Sequence, residues 1–214
     1  MPVTATDLDA AAAALLTALE PVVDLDWSAA TGTGDLNAYR TAEHIADCLV
    51  SYAAQLTSRQ TDDWVRFETA LVPDATTAQA LEFVVAGAGV LAATVHRLGE
   101  EVRGWHPWGS SDPEGFAGMG IVEILVHGED MCRGLGVRLD PPADTCARVL
   151  KRMFPGVTVD VEPWTALLWA TDRVELPGRP NQAGWRWRGA PPGNDPDSSP
   201  MAVNSSTTQR RRPP

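Results

Sequence analysis

Apolar positions recur at three- and four-residue intervals through most of the chain, the spacing that lines one face of an α-helix. In "TDLDAAAAALLTALEPV" a run of strong helix formers starts near Thr6 or Asp7 and stops at Pro21. "YRTAEHIADCLVSYAAQLTSRQ" puts Ile45, Leu49, Tyr52 and Leu56 at helical spacing and predicts a second helix. After Pro73 and Asp74, the series Leu81, Val84, Ala88, Leu91, Val95 and Leu98 predicts a third. "GWHPWGSSDPEGF" is dense in turn formers and reads as a connection across one end of a bundle. A fourth helix is expected over residues 115–136, ending at Gly134 and Gly136, a shorter fifth over 142–154, and a sixth in "PWTALLWATDRV". From Leu176 onward, Trp185 and Trp187 alternate with Arg186 and Arg188, a pattern of extended or short-stranded chain.

This pattern predicts an all-α protein: a four-helix bundle over residues 1–138, a short helical and extended appendage over 139–192, and a disordered tail over 193–214, where Pro, Ser, Asn, Thr and Arg dominate. A chain of 214 residues can bury a full core. Its formal charge of -11 opposes nucleic acid and anionic membrane surfaces, and the only dense basic cluster, Arg210 to Arg212, falls in the tail. Acidic residues interrupt the N-terminal alanine run, and no apolar run is expected to approach the roughly 18 residues of a membrane span. Three widely spaced cysteines, Cys48, Cys132 and Cys146, fit a reducing compartment. A cytoplasmic protein with small-molecule partners is expected, without nucleic acid or membrane, and with a homodimer as an option for its assembly.

The chemistry concentrates in the fourth helix. Glu123 and His127 stand four apart in "IVEILVHGED", so on an α-helical wheel they share a stripe with Asp130 and Gly134, hemmed by Met119, Val126, Gly120, Ile124 and Met131. Glu129 and Arg133 form a separate i,i+4 pair of the solvated kind. A polar stripe among apolar residues is costly unless its groups pair with each other or bind a metal, and the spacing alone allows both. His44, at the start of the second helix, can point into the same interior, which gives three donors. A catalytic zinc takes three protein ligands and keeps a fourth position open. Cys48, one turn after His44, is an alternative ligand, although a small buried core role is the commoner fate of such a cysteine. His96 reads as a helix-end residue, and His106 as packed between Trp105 and Trp108 or touching substrate at the mouth of the site. "LEFVVAGAGVLAA" carries Gly87, Gly89 and Ala92 at dinucleotide-motif spacing, but helical periodicity runs through it, so close helix packing is the better reading than nicotinamide binding.

"TAEHIADCLVSYAAQL", "WHPWGSSDPEGFAGMGIVEILVHGEDMCRGLG" and the later "LLWATDRVELPGRP" and "WRWRGAP" resemble the mycothiol-dependent maleylpyruvate isomerase N-terminal family, within the DinB-like superfamily. The resemblance covers roughly residues 6–190 and implies a DinB-like four-helix bundle with a divalent metal, usually zinc, on His44, Glu123 and His127. It also implies mycothiol as cosubstrate and transferase or isomerase chemistry on a small electrophile, the metal holding the thiol as a thiolate. It names no further catalytic side chain and no substrate. Asp130, Trp105, His106 and Trp108 are the expected supporting or substrate-contacting residues. A non-catalytic metal-binding DinB-like bundle is the competing expectation.

Overall fold

Thr4 caps the first helix rather than Thr6 or Asp7, because Asp7 occupies the third helical position and its carboxylate accepts from the Thr4 backbone N–H at 2.9 Å. In the computed structural model, which describes residues 1–192, helix α1 spans Ala5–Leu19 and runs into a 3₁₀ turn at Glu20–Val22. The tail predicted over 193–214, with Arg210 to Arg212, lies outside the described residues. Trp27 is fully buried and ties the following loop down by donating its indole N–H to the Val22 carbonyl at 2.9 Å.

Asn37 caps α2 (Ala38–Ser58), and Thr76 with Gln79 forms the capping box of α3 (Thr77–Arg97). Asp112 then caps α4 (Pro113–Val122), with proline at the first helical position where its missing N–H costs nothing. This helix does not continue as a regular α-helix. Glu123–His127 forms a π-helical turn, after which α5 (Gly128–Leu135) resumes and ends on Gly136 in the left-handed conformation, φ 72°. Two shorter helices follow, α6 (Ala143–Met153) and α7 (Pro163–Ala170).

The predicted all-α bundle is observed. Helices α1, α2, α3 and the composite α4–α5 rod pack on one another, α6 packs on α4 and α1, and α7 packs on α6. Leu8, Leu15, Leu49, Leu56, Leu91, Phe116, Ile121 and Ile124 are sealed in the common core, each side chain contributing about 1.5–3 kcal/mol on burial. Cys146, Val149, Met153 and Leu167 of α6 and α7 join the same core. Gly87 explains the dinucleotide-like pattern: a β-carbon there would lie 3.2 Å from the Ala46 carbonyl, so its small size lets α2 and α3 approach closely within continuous helix.

Two expectations need correction. The chain around Trp185 and Trp187 forms no strand; among the described residues only the isolated bridges Thr31–Asn37 and Gly104–Ser111 occur. It is fixed instead by Arg152 of α6, whose buried guanidinium donates to the Arg188 and Gly189 carbonyls and to Asp112 at 3.0, 3.1 and 2.9 Å. Helix α3, moreover, is long and apolar enough by composition to cross a bilayer, with a mean hydropathy of 1.6 over 18 residues. The same helix places Ala80, Leu81, Val84, Ala88 and Leu91 in the bundle core, but only 39 % of that window is buried, with Val85 and Val90 exposed.

Candidate metal centre

Helix α2 carries a ladder at i, i+4 and i+8, His44, Cys48 and Tyr52, facing the π turn that bears Glu123 and His127. Because π turns add a residue to the helical repeat, they re-aim side chains that an unbroken α-helix would present elsewhere, and they recur at functional sites. Here the turn begins at Glu123 and ends at His127.

Glu123 is 5 % exposed, deep among apolar neighbours. Its Oε1 accepts the Tyr52 hydroxyl at 2.7 Å. Its Oε2 lies 2.9 Å from His127 Nε2 and 3.8 Å from His44 Nε2, an ion pair in which it is buried without an aligned hydrogen bond. Burial alone would raise the Glu123 carboxyl, but His127, His44 and the Tyr52 hydroxyl outweigh it and bring it to about 2. Burial likewise depresses His127, and the carboxylates of Asp130 and Glu123 more than reverse this, to about 9. Burial first, then Glu123, pushes the Tyr52 phenol well above its ordinary value, so Tyr52 remains the donor.

The structure brings His44, Glu123 and His127 together, the two imidazole centroids 5.3 Å apart. It also brings in Cys48, whose expected role was a small core residue. Cys48 is half-buried, its Sγ 3.8 Å from both His44 ring nitrogens. His44, Cys48 and Glu123 each offer a ligand atom within 4.8 Å of the others, a cluster with metal-ligand spacing. Two donors of a tetrahedral zinc, at about 2.0–2.3 Å from the ion, lie roughly 3.4–3.6 Å apart. The 3.8 Å separations around His44 approach that figure, whereas the 2.9 Å between His127 and Glu123 is an ion-pair distance. A buried carboxylate oxygen without an aligned hydrogen bond, beside imidazole and thiol donors, fits a divalent, zinc-type ion.

Asp130 is turned partly away from the role expected of it. Arg173 takes its carboxylate at 2.9 and 3.4 Å, leaving 3.7 Å to His127 Nδ1, so Asp130 acts on His127 by charge rather than by a hydrogen bond. The Glu129–Arg133 pair forms at 2.8 Å, as its spacing predicts.

Above the carboxylate stands an aromatic wall. The Tyr52 ring stacks on Trp64 at 6.3 Å and meets His106 edge-on at 6.1 Å. His106 in turn packs against Trp64, Trp108 and Trp187 at 5.5–5.6 Å, and Trp105 packs edge-on against Trp64 at 5.5 Å. Burial depresses His106 to about 4, with Glu123 opposing, so at neutral pH it is an uncharged ring whose Nδ1 accepts the Trp108 backbone N–H at 3.1 Å. His106 is thus a packed wall residue outside the donor cluster. Sequence reasoning missed Tyr52 as a site residue, Trp64, Trp187 and Arg173. The i, i+4, i+8 ladder on α2 was a legible sign for Tyr52; the others come from loops whose approach no local pattern encodes.

No protein-family model, curated protein or solved structure matches the chain.

Proposed function

We propose that the chain is a metal-dependent enzyme of the thiol transferase or isomerase class, joining or passing a low-molecular-weight thiol such as mycothiol to a small electrophile. The observation that carries the metal half is Glu123 Oε2, a buried carboxylate oxygen without an aligned hydrogen bond beside His127 and His44. His44, Glu123 and His127 would hold the ion; the thiol half rests on the family resemblance. When bound, a zinc-type ion supplies the Lewis acidity that keeps a small thiol ionised at neutral pH.

The chain's own residues prepare the site. Tyr52 fixes the Glu123 carboxylate by its 2.7 Å bond. Arg173 neutralises Asp130 beside His127 and so limits the negative charge facing an anionic thiolate. Trp64, His106 and Trp187 shield the carboxylate's neighbourhood from water, which strengthens electrostatic interactions within it.

The test is metal content after removal of loosely bound ions, followed by a thiol-conjugation screen. Wild type is expected to retain zinc near one equivalent, with His44→Ala, Glu123→Gln and His127→Ala losing most of it while staying helical by circular dichroism. Glu129→Ala, in an i,i+4 pair worth roughly 0.2–0.5 kcal/mol, should match wild type. Equal zinc in wild type and all three site variants would remove the metal reading. Zinc retention with no conjugation of any electrophile would favour a non-catalytic metal-binding bundle.

A further inference from the structure

Cys48 differs from the other two cysteines in its surroundings. Cys132 and Cys146 are fully buried, and burial pushes both thiols up to about 12, the ordinary state of a core cysteine. Cys48 is half-buried, its sulfur within 4.8 Å of ligand atoms on both His44 and Glu123. Glu123 gives a second sign: its Oε2, in a side chain only 6 % exposed, has no aligned hydrogen bond although it lies 2.9 Å from His127 Nε2 and 3.8 Å from His44 Nε2.

We infer that Cys48 is itself a metal ligand, a thiolate donor that completes the set formed by His44 and Glu123 on α2 and the π turn. The inference rests on the metal reading above and deepens it. On α2, one turn of helix sets His44 and Cys48 on one face, so the two donors come from a rigid element and need only rotamer changes to close from 3.8 Å to ligand spacing. A sulfur donor also narrows the class of ion. Thiolate with imidazole and carboxylate suits zinc and other thiophilic ions, whereas magnesium and calcium take oxygen donors. Together with His44 and Glu123, Cys48 makes three protein donors, the number of a zinc site that keeps a fourth position open for a small thiol.

Zinc is spectroscopically silent, so cobalt(II) is the probe, added to the full-length apo-protein. Visible d–d bands report that cobalt is bound at low coordination number, and a near-ultraviolet charge-transfer band reports a thiolate bound to it. Wild type is expected to show both. Cys48→Ser should lose the charge-transfer band, whether it keeps the d–d bands or loses cobalt altogether, while Cys132→Ser should keep both. In parallel, zinc should protect Cys48 from alkylation by iodoacetamide at least tenfold, read peptide by peptide by mass spectrometry. Visible bands in wild type without the charge-transfer band would overturn the inference and leave the metal reading standing. No visible bands in wild type would end both. A charge-transfer band undiminished in Cys48→Ser, or Cys48 alkylated at the same rate with and without zinc, would also overturn it.

Discussion

Replacing Tyr52 with phenylalanine removes one oxygen and leaves the packing of the ring in place. The Tyr52 hydroxyl donates to Glu123 Oε1 at 2.7 Å, both residues are at least 95 % buried, and the other carboxylate oxygen has no aligned hydrogen bond. A hydrogen bond to a charged group contributes about 1.5–3 kcal/mol, and the deprived acceptor cannot turn to solvent. The metal-free protein should therefore lose about 1.5–3 kcal/mol in urea unfolding. At roughly 2–4 °C per kcal/mol for a chain of this size, its Tm should fall by about 3–12 °C. Removal of a ligand's hydrogen-bond partner typically weakens metal binding 10–100-fold, so zinc affinity should fall by that factor. A double-mutant cycle with Glu123→Gln isolates the interaction, and the two substitutions should fall short of additivity by more than about 0.5 kcal/mol. A Tyr52→Phe protein within about 0.5 kcal/mol of wild type, additive with Glu123→Gln, would refute the assignment of Tyr52 as the group that fixes the carboxylate.

Other expectations concern the frame around the site. Asp7 is buried on α1 and accepts from Arg148 at 2.6 Å and from Thr145 at 3.0 Å, so Asp7→Asn should cost about 1–3 kcal/mol. Burial would raise the Asp7 carboxyl, but Arg148, Thr4 and Thr145 together hold it below its ordinary 3.8. A depressed carboxyl contributes stability that is fully present above the unfolded value and lost as pH falls through the folded one. The gap between wild type and Asp7→Asn, measured by urea melts from pH 7 to pH 3, should thus hold until about pH 4 and then shrink. Arg152→Met breaks the guanidinium contacts to Asp112, Arg188 and Gly189; it should destabilise by about 3–5 kcal/mol and shift the emission of Trp185 and Trp187 to the red in fluorescence spectra. Gly134→Ala would place a β-carbon 1.9 Å from the Thr31 carbonyl oxygen, and thermal melts should show a loss of about 1–3 kcal/mol.

What the sequence determined by itself is the part that depends on local periodicity. Apolar residues at i, i+3 and i+4 specify helices, so α1, α2, α3, α6 and α7 are legible within a few residues, and α4 with α5 as one helix ending at Gly136. Glu123 and His127 stood out for the same reason, as polar groups on a face hemmed by apolar residues, and His44 as a third donor on the facing helix, where its side chain is 40 % exposed. Tertiary structure decided what those groups meet. The π turn at Glu123–His127 has no signature in a run of Ile, Leu and Val, yet it sets the direction of both donors. Cys48 looked like core because burial is the common fate of cysteine, and only the packing of α2 against the π turn sets its sulfur beside Glu123. Arg173 and Trp187 reach the site from loops after α7, residues far along the chain brought close by the closure of the fold. Such long-range juxtaposition carries no period in the sequence, because it depends on how the helices pack rather than on which residues follow one another.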